Sequence, residues 1–105
     1  MWELEKVTEQ ECTLDDSGVY TVINRGGRDN GKKVVIRVDV MQTEDDRPLR
    51  SFVGDGNDVR KCVIAWLNSP ELLNTTSKGR ISTEHASYIG YEIARAMSDE
   101  NYIQD

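Results

Sequence analysis

His85 is the single histidine of the chain, and it stands in a pattern. Tyr88, Glu92 and Arg95 follow it at i+3, i+7 and i+10, so on a helix the four share one polar stripe. These residue types can hydrogen-bond a partner, hold an anion, or move a proton, because an unperturbed imidazole titrates near neutral pH. Proton transfer also needs a group that orients the ring. Glu92 lies two turns away, about 10 Å along the axis, which is too far for a direct bond. Glu84 and Tyr88 are nearer. The plainer role for His85 is a bond to a backbone carbonyl or to the C-terminal tail, and binding or structure is favoured over catalysis.

No other motif has the spacing of a reactive centre. Cys12 and Cys62 are far apart, with no CxxC and no Cys/His cluster at metal-ligand spacing. Cys62 falls on an apolar helical stripe, where a thiol behaves as a small hydrophobe, and a reducing compartment suits both cysteines. DGND at 55–58 resembles a fragment of a calcium loop, but the rest of that loop is missing and helix capping explains it. RGGRDNG at 25–31 has neither GxGxxG nor GxxxxGK[ST] and lies between strands, not before a helix. No metal and no cofactor is expected.

Charge excludes further classes. The net charge is −6, which disfavours a nucleic-acid partner, since phosphate neutralisation needs clustered Lys and Arg. The distribution is uneven. Residues 1–16 carry six carboxylates against Lys6, whereas 25–37 carry Arg25, Arg28, Lys32, Lys33 and Arg37 against Asp29. Arg25, Arg28, Lys32 and Lys33 form a candidate anion patch, weighed against the more ordinary solvated hairpin tip. No apolar run approaches the ~20 residues of a membrane span, and the acidic start lacks the apolar core of a secretory signal. The expectation is a soluble cytoplasmic protein.

The elements that would position these residues follow from periodicity. VYTVIN at 19–24 and KKVVIRVDVMQ at 32–42 read as strands around a Gly-Gly/Asn-Gly turn. In the second, Val34, Ile36, Val38 and Val40 alternate with Val35, Arg37, Asp39 and Met41, as in a sheet packed on one side. A polar turn at 43–48 leads to a third strand at 49–54. Asp55 or Asn57 then caps a helix whose apolar face is Val59, Cys62, Val63, Trp66 and Leu67. Pro70 stops it or opens a short turn at 70–73. Ser82 is the expected cap of a last helix with Ala86, Ile89, Ile93, Ala94 and Met97 on its apolar face. Gly90 in its middle costs about 1 kcal/mol relative to Ala, which implies a close approach, most simply of helix to sheet. Residues 1–12 are a short strand or a lead-in, and 99–105 a tail. The resulting expectation is one α+β domain over 1–105. It has a three-stranded antiparallel sheet, order β-β-β-α-α, and two helices on one face.

The last helix and tail resemble a known signature, His-Ala-x-Tyr-Leu-Gly-Arg-Glu-x-x-(Lys/Arg)-Ala-Glu followed by Tyr-(Ile/Val)-Gln-Asp. The matching residues are His85, Ala86, Tyr88, Ile89, Gly90, Glu92, Arg95, Ala96, Tyr102, Ile103, Gln104 and Asp105. LDDSGVYTVI at 14–23 and FVGDGNDVRKCVIAWL at 52–67 are similar to two further passages of the same family. That family is a small cyanobacterial domain of unknown function, related to a domain fused to archaeal pterin-binding proteins. Tyr91 stands where the family has Arg, Met97 replaces a Glu, and SDEN is a shorter link to the tail. The resemblance implies a stand-alone cytoplasmic protein and transfers no reaction.

The reading that follows is a non-enzymatic binding or accessory module acting on a protein partner, with a homodimer as one form. Its expected binding residues are His85, Tyr88, Glu92, Arg95, Tyr102, Gln104 and Asp105. The alternatives are a pocket for a pterin-like or nucleotide-like ligand beside the last helix, and a small enzyme using His85 with Glu84 or Glu92.

Overall fold

A computed structural model describes residues 4–10, 17–28, 33–73 and 81–98. Four strands come first: β1 (Glu5–Gln10), β2 (Val19–Arg28), β3 (Lys33–Gln42) and β4 (Arg50–Asp55). Helix α1 (Gly56–Leu67), the single turn α2 (Pro70–Leu73) and helix α3 (Thr83–Ser98) follow. The sheet is an antiparallel meander in the order β1-β2-β3-β4. The class is α+β as expected, but the sheet has four strands, not three. The extra one is β1, paired with β2 from Glu5↔Arg25 to Gln10↔Thr21 across a register shift between Lys6 and Thr8. Its sequence, EKVTEQ, hides this, because an edge strand tolerates charge and needs little apolar alternation.

Strand β2 also runs further than its local chemistry suggests. Arg25, Gly26, Gly27 and Arg28 belong to the strand, paired with Ile36, Val35, Val34 and Lys33. The long regular β3 supplies a partner for every one of them, and ladder pairing outweighs the turn preference of Gly-Gly. The connection after β3 keeps its predicted place. Asp45 N donates to Gln42 O at 3.0 Å and Leu49 N to Val40 O at 2.7 Å, with Glu44 at φ 73°.

One apolar cluster joins sheet and helices. Val19 and Ile23 of β2 and Ile36, Val38 and Val40 of β3 are fully buried on the same face. Against them lie Val59, Val63, Trp66 and Leu67 of α1 and Ala86, Ile89, Ile93 and Ala96 of α3. Helix α1 covers β3 and β4, and α3 covers β1 and β2. Cys62 departs from expectation: it is an exposed free thiol. It lies at the margin of the α1 stripe, on the side where β4 is the last strand, and among the described residues nothing further covers it.

Both long helices start as the sequence predicts. Asp55 Oδ1 accepts from Asn57 N at 3.0 Å, and Ser82 Oγ accepts from His85 N at 3.0 Å. The helices meet at Gly90, where an added Cβ would lie 2.7 Å from Ile64 Cδ1. The close approach inferred at Gly90 is therefore helix to helix. Gly56 plays the same part at the other end, beneath Met97.

Candidate functional site

The predicted polar stripe divides when α3 packs. His85 and Glu92 turn inward and are buried, while Tyr88 and Arg95 stay outside. The His85 ring has no exposed surface, and its Nε2 lies 2.9 Å from Val19 O. A carbonyl only accepts, so Nε2 donates the hydrogen of this bond. Nδ1 is buried and has no partner among the described residues. The ring is a hydrogen-bonded core residue tying the first turn of α3 to the start of β2.

Glu92 is two turns further along and 7% exposed. With Val7, Thr8, Arg95 and Ala96 it lines a cleft of about 160 Å³ between α3 and β1. Ligand pockets usually span roughly 300–1,000 Å³, so this space suits water or a small ion better than a pterin ring. His85 does not line it. The two residues therefore do not converge: one reaches β2, the other lies beside β1.

Arg25 corrects the expected anion patch. It is 5% exposed, and its Nη1 donates to Ala96 O at 2.9 Å. The alternation of β2 puts Arg25 on the helix-facing side with Thr21 and Ile23, and the last turn of α3 presents carbonyls that favour a cation. Arg37 is exposed on the opposite face, its Nε 3.2 Å from Asp39 Oδ1, which also accepts from Ser51 Oγ at 2.6 Å. Arg28 and Lys33 are register partners in the backbone of the β2–β3 ladder. Lys32 lies outside the described residues, as do Tyr102, Gln104 and Asp105 of the tail. Among the described residues no group of three His, Cys, Asp or Glu is placed to hold a metal ion. No helix of the described residues is long and apolar enough to cross a membrane.

What periodicity did not single out is Tyr91. It is 62% exposed, beside Tyr88 at 39%, with ring centroids 6.4 Å apart and planes tilted by 37°. The signal is present in the sequence. Glu84, Tyr88, Tyr91 and Arg95, spaced 4, 3 and 4, make a helical stripe opposite Ile89 and Ile93. All four are exposed. The accessible surface of α3 is thus a tyrosine pair flanked by one acid and one base, not the histidine stripe.

No protein-family model matches this chain, and neither a curated protein nor a solved structure matches it.

Proposed function

We propose that this protein is a non-catalytic binding module that docks a partner protein on the outer face of α3. The exposed Tyr88–Tyr91 pair carries this reading. Tyrosine is enriched at protein interfaces because a stiff ring buries much area at little entropic cost while its hydroxyl stays satisfied. Glu84 and Arg95 supply a charged rim, which steers and orients a partner more than it holds one. The burial of His85 supports a binding reading over one built on the chemistry of that ring. The small volume beside Glu92 favours a protein partner over a pterin- or nucleotide-sized ligand.

The partner in this proposal is cytoplasmic, and a second copy of the chain is one form of it. The resemblance of the last helix to the cyanobacterial domain of unknown function fits an accessory role and adds no reaction. Native mass spectrometry of the protein isolated gently from its own cells tests the reading. The wild-type chain is expected to carry a protein adduct or to appear at twice its mass. The Tyr88→Ala/Tyr91→Ala variant, equally folded, is expected to appear bare. Identical spectra for the two would sink it.

A further inference from the structure

Strand β4 ends the sheet, and among the described residues nothing pairs with its outer edge. An edge strand offers a row of backbone donors and acceptors to any extended chain. Here the edge borders a groove. Phe52, Gly54, Val59 and Cys62 line about 360 Å³ between β4 and the overhanging α1, with Asp55 and Asp58 at one end. Gly54 adds no side chain to the groove; a Cβ there would lie in ordinary contact with Val59 Cγ2, 3.8 Å away. Val53, on the same strand, is 62% exposed.

The edge is also electrically polarised. Arg50 begins β4, its guanidinium carbon 5.0 Å from the Phe52 ring centroid and 5.7 Å from that of Trp66. Asp55 ends it, roughly 17 Å away at strand rise. Asp55 caps α1 and Asp58 stands in its first turn. Two carboxylates outweigh the helix N-terminus, whose dipole amounts to about half a positive charge. A strand added along this edge therefore meets apolar groups in the middle and negative charge at the Asp55 end.

We propose that the β4 edge takes up an extended segment of a partner protein as a fifth strand. The segment has alternating apolar side chains and a Lys or Arg lying against Asp55 and Asp58. Strand addition gives such a site its affinity through backbone bonds and its selectivity through alternate side chains. The surface is separate from the tyrosine pair, since α3 lies over β1 and β2, toward the opposite edge of the sheet.

The test is a random ten-residue peptide display library selected on the full chain. Enriched peptides are expected to alternate apolar residues and carry Lys or Arg at one end. Asp55→Asn/Asp58→Asn should weaken them tenfold or more, and Asn preserves the helix cap. Cys62→Trp, which fills the groove from an exposed position, should abolish binding. Should that variant misfold, alkylation of Cys62 in a Cys12→Ser background decides instead, because a bound peptide must slow it. Absence of enrichment, peptides without a basic residue, or binding that survives a filled groove each overturns the proposal. So does binding lost in Tyr88→Ala/Tyr91→Ala but kept in Cys62→Trp.

Discussion

His85 donates from Nε2 to Val19 O inside the core, so removing the ring leaves a buried strand carbonyl one bond short. His85→Leu keeps the volume but not the donor, and should cost about 1–3 kcal/mol. Urea unfolding measures this; a variant as stable as wild type would mean that the histidine is not the structural tie described here. Tyr91 gives the opposite expectation. It is exposed at the surface of α3, and replacing it with Ala should leave stability within about 0.5 kcal/mol. The two residues sit six positions apart on one helix, yet one belongs to the core and the other to the surface. Residue type alone would suggest the reverse for the histidine.

At the scale of elements, the approach of α1 to α3 depends on the missing side chain at Gly90. Leu at this position meets Ile64, and overpacking of about 1–3 kcal/mol exceeds the ~1 kcal/mol that a better helix former returns. Ile64→Ala makes room, so the double variant should be more stable than the sum of the two single changes predicts. Coupling of about 0.5–3 kcal/mol is expected in a double-mutant cycle by chemical denaturation. Strict additivity would place the contact elsewhere. The helix starts are local by comparison. Asp55 and Ser82 act on backbone groups two and three residues on, which is why both were readable without the fold.

Across the described residues, polar ties at both ends of the last helix join it to the early sheet. His85 bonds Val19 near one end of α3 and Arg25 bonds Ala96 near the other, so α3 runs along β2 in the same direction. Arg25→Met keeps the apolar stem and drops the donors. Amide hydrogen exchange should then show lost protection in the last two turns of α3, while β3, β4 and α1 hold theirs. Uniform loss across the chain would instead assign Arg25 to global stability. The partition is expected because α1 reaches the sheet through β3 and β4, independently of this bond.

The alternation in β3, the turn at 43–48, the Ser82 cap, the start of α1 at Asp55 or Asn57, and most apolar positions of α1 and α3 were determined by sequence alone. Each depends on interactions within a few residues or on a period of two or 3.6. Tertiary structure decided the rest. Strand β1 exists because β2 offers an edge, and Gly26 and Gly27 are strand because Val35 and Val34 lie opposite. Cys62 is exposed because among the described residues no strand lies beyond β4. His85, Glu92 and Arg25 are interior; His85 and Arg25 find their acceptors across 66 and 71 residues of chain. A polar side chain enters a core at least cost where such an acceptor waits, and periodicity carries no information about acceptors on another element.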